Sequence, residues 1–203
     1  MRGLSSTAMS AFAVILSTFT TYLTFFDARY TVSAAVAKVS VQVQSGGGSS
    51  NGVQNVAYRY FPTATVILSN RGTRPVVVSE IDIVRSSSLE SCEPVEAEVF
   101  VTEISPIIVE PGTVTSLDLE IQLPRIAAEG PVDTPLQVDD ETALWCAAWV
   151  AFDPQGYRRE PMTPFFTLTR RFDPAGPGDR YPSPRLELDY PRQPETIVSK
   201  GLF

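Results

Sequence analysis

The sequence predicts an all-β protein: an antiparallel β-sandwich preceded by one N-terminal transmembrane helix and followed by an extended Pro-rich C-terminal arm. Three observations predict it. Thr7 to Phe26 contains no charged residue. From Tyr30 onward, apolar residues alternate with polar ones in short runs broken by Gly, Pro and Asn turns. From Asp173 onward, prolines recur too often for a helix or a central strand. The chain of 203 residues therefore divides into an anchor (1–29), a sandwich domain (30–172) and a tail (173–203).

As a helix rising about 1.5 Å per residue, the uncharged run spans roughly 30 Å, the thickness of a bilayer's hydrocarbon core. Tyr22, Phe25, Phe26 and Tyr30 gather at one end, where aromatic rings favour headgroups, and Asp27 and Arg29 end the run. A cleaved signal peptide is the competing reading, with Ala35-Val36-Ala37 as a small-x-small site. That site lies well past the apolar run, beyond Asp27 and Arg29, so a retained single-pass anchor is expected. The domain is then extracytoplasmic, periplasmic in a bacterial cell, and the N-terminus cytoplasmic. Basic residues flank both ends alike, which leaves a cytoplasmic domain as the alternative. Ala13, Ser17 and Thr21 recur every four residues and share a helix face, an expected contact for larger membrane protein subunits. The alternative is that Ser and Thr bond their own i−4 carbonyls.

The first strand is Val39, Val41 and Val43 alternating with polar neighbours. Residues 45–52 (SGGGSSNG) read as a flexible loop. Strands are expected over 56–68, 76–84 and 95–102. Leu117, Leu119, Ile121 and Leu123 then face one way while Asp118, Glu120 and Gln122 face the other. Residues 143–152 and 161–170 complete about seven strands, the count of an immunoglobulin-like sandwich. The Cys…Trp…Cys arrangement of antibody domains is not reproduced, since Trp145 and Trp149 sit beside Cys146.

Trp145 and Trp149 share one face of their strand; Leu144, Cys146, Ala148, Val150 and Phe152 share the other. A sandwich buries one face, so the second needs a cover from loops, arm, membrane or partner. Trp145 and Trp149 are accordingly candidate partner contacts. Cys92 and Cys146 form a candidate disulfide, with two separate buried thiols as the alternative.

The net charge of −7 disfavours nucleic acid, and no run of basic residues suggests docking on anionic lipid. Histidine is absent, which removes the commonest general base and Ser-His-Asp or Cys-His catalysis within this chain. Asp133, Asp139, Asp140 and Glu141 lack a calcium-loop register and read as a solvated acidic loop. The run Ser86-Ser87-Ser88 has no base partner. No catalytic residue, metal site or cofactor is expected. The expectation is a non-catalytic accessory or scaffold subunit of a membrane protein complex. The alternative is an independent tethered module that binds a small ligand or a cell-envelope component.

Overall fold

Alternation becomes structure almost throughout the domain. A computed structural model describes residues 12–18, 20, 30–102, 104–175, 181–191 and 193–200. Its strands are β1 (Tyr30–Ser50), β2 (Val53–Asn70), β3 (Val76–Ser86), β4 (Pro94–Thr102), β5 (Ile107–Val109) and β6 (Val114–Glu120). They continue with β7 (Ile126–Pro131), β8 (Glu141–Phe152), β9 (Arg158–Arg159), β10 (Met162–Asp173), β11 (Ser183–Asp189) and β12 (Glu195–Lys200). One antiparallel sheet runs β12-β1-β2-β6, with β7 also on β2. The other runs β11-β10-β8-β3-β4, with β5 on β3 and β9 on β8.

The sheets share one core. Every second residue of β2 from Gln54 to Asn70 is buried. Tyr58, Tyr60, Val66 and Leu68 join a cluster that includes Ile81 and Ile83 of β3, Trp145 and Trp149 of β8, and Phe166 and Leu168 of β10. Each such large apolar side chain contributes roughly 1.5–3 kcal/mol by leaving water. A register shift at Pro164/Phe166 accompanies the burial of both Phe165 and Phe166.

Twelve strands stand among the described residues where about seven are expected, and two segments differ most. Residues 45–52 are not a flexible loop. β1 continues to Ser50, and Asn51 and Gly52 (φ 54° and 76°) close a two-residue turn into β2. Both φ values are positive, as a type I′ hairpin requires. At 21 residues, β1 is about 70 Å long. Gly47 is needed there for close approach: a Cβ would lie 2.6 Å from the Tyr181 ring and 2.7 Å from the Asn55 carbonyl oxygen. Gly46 has open space around it. Gly47→Ala is therefore expected to destabilise by about 1–3 kcal/mol, and Gly46→Ala to be neutral or slightly stabilising, by urea titration.

The tail is the second difference. Instead of hanging as an extended arm, it adds β11 beside β10 and β12 beside β1. Proline permits this because β11, which holds Pro184, is an edge strand, where a missing N–H need not break the ladder, and β12 contains no proline.

In the N-terminal segment, residues 12–18 are helical. Most of the expected span Thr7–Phe26, Thr21 included, lies outside the described residues. Among the described residues, no helix is long and apolar enough to cross a membrane. The Thr18 and Thr20 hydroxyls donate to the carbonyls of Val14 and Leu16, at 2.8 and 2.7 Å. Those two hydroxyls follow the i−4 pattern rather than reaching outward. Ala13 and Ser17 are exposed.

Candidate functional site

Trp145 and Trp149 do not form a partner surface. Both are 1 % exposed and face the inter-sheet core. Trp145 packs among Phe100 and Phe166, with ring centroids 5.8 and 6.3 Å away. The Trp149 indole N–H donates to the Thr163 hydroxyl at 2.9 Å. The strand's central position explains this: β8 lies between β10 and β3, so its inward face meets β2 of the opposite sheet.

The second apolar face of β8 is covered by the chain itself. Leu144 and Cys146 cluster with Val84, and Cys92, Ala148 and Met162 pack on them. Cys92 and Cys146 are disulfide-bonded, with Cα atoms 6.0 Å apart. The serine run shapes the loop that delivers Cys92. The Ser86 hydroxyl donates to the Ser91 carbonyl (2.6 Å) and accepts from the N–H groups of Ser88 and Glu93 (3.1 and 3.0 Å). Small hydroxyls just after a strand signal this kind of loop closure.

The acidic residues divide. The Asp140 carboxylate accepts the Phe172 N–H at 2.9 Å. Glu141 is not part of a solvated loop: it opens β8 and accepts from Arg170 and from Arg85. Arg170 is 4 % exposed, and its guanidinium lies 5.1 Å from the Tyr60 ring centroid. Among the described residues, no group of three or more His, Cys, Asp or Glu is arranged to hold a metal ion. The concave features are open. A cleft of about 510 Å³ is lined by Gln54, Asp133, Thr134 and Tyr181, and one of about 310 Å³ by Asp139, Asp140 and Glu141.

Burial pushes the Tyr60 hydroxyl up to about 12 and also raises Tyr30 and Tyr58. A folded-state value above the unfolded one favours the fold while the group stays protonated. That stability is complete below pH 10 and is lost as pH rises toward 12. Stability is expected to fall on the order of 2 kcal/mol across that window, by urea titration at successive pH values.

The feature best suited to binding is a sheet edge. β12 pairs only with Tyr30 to Ala34 of β1. From Ala35 to Ser50, β1 has β2 on one side and, among the described residues, no strand on the other. Such an edge presents unpaired N–H and C=O groups, with the Gly48 N–H as an exception, since it donates to the Asn55 Oδ1 at 3.1 Å. The remaining edges carry protection: β4 opens on Pro94, β11 has Pro184, Arg185, Glu187 and Asp189, β6 has Asp118 and Glu120, β7 has Glu129 and Pro131, and β5, β9 and β12 are short. On β1 the protection stops at Lys38, beside a register shift at Val36/Lys38. Val39 to Ser50 has no charge, no proline and no further shift. Val39, Val41 and Val43 pack against the core yet stay only half-buried, and among the described residues no strand pairs with β1 beside them on that open side.

Comparisons with known proteins add little. No family model matches the chain, and no curated protein matches it. A solved structure, the ApaA protein from Bordetella pertussis, is similar over 63 % of this chain and 90 % of its own, at 14 % identity and a TM-score of 0.30. So distant a likeness supports no conclusion about this chain.

Proposed function

We propose that this chain is a non-catalytic accessory or scaffold subunit of a membrane protein complex. It joins its partner by strand addition along Val39–Ser50 of β1. The observation that carries the reading is the long, unprotected edge. The chemistry that fits is an extended peptide segment with alternating apolar residues. Its backbone would complete the ladder, and its side chains would cover Val39, Val41 and Val43. Larger membrane subunits are the class of partner that fits a chain tethered through the uncharged segment 7–26. The Cys92–Cys146 bond supports an extracytoplasmic, periplasmic domain, because cytosolic thiols are kept reduced. We read the sandwich as immunoglobulin-like, supported by β1-β2-β6 lying against β4-β3-β8-β10. The alternative, an independent tethered module for a small ligand or a cell-envelope component, draws no support from Trp145 and Trp149, since both are buried.

Val41→Lys tests the proposal, because an inward charge is a natural device for blocking an edge. After extraction in several mild detergents, the wild type is expected to migrate with companion chains. The Val41→Lys variant should migrate alone, with stability within about 1 kcal/mol of wild type because its ammonium can reach water past the open edge. A wild-type chain that migrates as a lone monomer in every detergent would overturn the proposal.

A further inference from the structure

Two turns that are far apart in sequence meet where the N-terminal segment enters the domain. Tyr30, the first residue of β1, is 1 % exposed, and its hydroxyl donates to Asp153 at 3.0 Å. Beside it, the Arg71 N–H donates to the Thr31 carbonyl at 2.9 Å. Residues 71–75 link β2 to β3 and residues 153–161 link β8 to β10, so both turns lie at this one end of the sandwich. Only residues 27–29 separate the uncharged segment from Tyr30, about 10 Å of extended chain. If the segment lies in a bilayer, this end cannot stand away from the surface.

The end is cationic although the chain as a whole carries −7. Arg71, Arg74, Arg158 and Arg159 occupy the two turns. Among the described residues, Asp153 and Glu160 share the second turn and Glu110 follows Val109, whose carbonyl accepts from the Asn70 side chain. Arg158 pairs with Glu160 at 2.8 Å, with both side chains more than half exposed, so a stronger anion can compete. Asp153 is 4 % exposed. It accepts from Tyr30, from the N–H groups of Gln155 and Tyr157, and from Arg159 at 3.2 Å. The Arg159 side chain nonetheless stays 53 % exposed. No carboxylate pairs with Arg71 or Arg74 among the described residues. Tyr157 projects from the same turn, 65 % exposed, with the Arg159 guanidinium 6.0 Å from its ring centroid. Exposed tyrosine beside arginine suits the headgroup layer.

We infer that this end docks on anionic phospholipid headgroups, with Arg71, Arg74, Arg158 and Arg159 contacting phosphates and Tyr157 seated at the interface. The inference rests on the proposed reading that residues 7–26 lie in the bilayer. Docking would hold the sandwich at a fixed tilt and so set where the free edge of β1 stands above the membrane. Each basic residue near an anionic surface strengthens attachment about 5-fold, an effect that salt screens.

The test uses the full-length chain in nanodiscs of phosphatidylcholine alone and of phosphatidylcholine mixed with phosphatidylglycerol. Hydrogen exchange is read over 70–75 and 153–160, with 116–120 as control. Exchange in both turns should slow at least about 5-fold in the anionic discs alone. The slowing should vanish in high salt and in the double variant Arg71→Gln plus Arg158→Gln, whose folding is checked by tryptophan fluorescence. Equal exchange in both lipids, with the chain retained in salt-washed discs, overturns docking and leaves the anchor reading standing. Release of the chain by the salt wash overturns the anchor reading and docking with it.

Discussion

Glu141→Ala is expected to cost about 3 kcal/mol of folding stability, far more than an acidic residue at a strand start ordinarily does. Glu141 faces Arg170 across the β8–β10 ladder and accepts from it, while Arg85 reaches the same carboxylate from β3. Arg170 is almost wholly buried, and among the described residues one of its terminal nitrogens has no hydrogen-bond partner. Without Glu141, a guanidinium remains in the core with the Tyr60 ring as its main compensation. Removing one partner of a buried pair typically costs 3–5 kcal/mol. The Glu141 side chain is itself 25 % exposed, so entering water places the cost near the lower limit. Glu141→Leu combined with Arg170→Met should recover most of the loss, since apolar residues can replace a buried pair. Urea titration of the three proteins checks both statements.

Breaking the Cys92–Cys146 bond should have a similar effect. The bond closes a separation of 54 residues, for which the chain-entropy relation gives about 4 kcal/mol. It also fastens the 87–93 loop over Val84 and Leu144. Reduction is therefore expected to destabilise the domain by about 4 kcal/mol and to speed hydrogen exchange across 87–93 first. Cys92→Ala with Cys146→Ala should reproduce the loss without reductant. A variant pair as stable as wild type would show that apolar packing alone holds that loop.

Much of the sandwich is legible in the sequence because inside and outside alternate without interruption in its central strands. The β2 residues from Val56 to Leu68 and the β3 pair Ile81 and Ile83 follow period two and take their expected faces. The doubly apolar strand β8 rightly signals that its outer face is covered; the cover is the Cys92 loop. What escapes the pattern depends on partners distant in sequence. Glu141 resembles its acidic neighbours until Arg170 is brought opposite it. Arg71 and Arg158 become neighbours in space only through Tyr30 and Asp153. Two local signals were also available. Asn51-Gly52 is a hairpin turn inside what composition presents as a linker. Leu186 and Leu188, alternating with Arg185, Glu187 and Asp189, mark a strand within the proline-rich tail.

The free edge itself is written in what β1 lacks after Lys38, namely charge, proline and further shifts in register. Site-specific photo-crosslinking in native membranes tests strand addition there most directly. A photoreactive residue at Gln42 or Gln44 is expected to give one discrete crosslinked product, abolished by Val41→Lys, whereas the same residue at Asp118 on β6 gives none. No product from Gln42 and Gln44, or the same diffuse products from all three positions, would contradict a partner strand on β1.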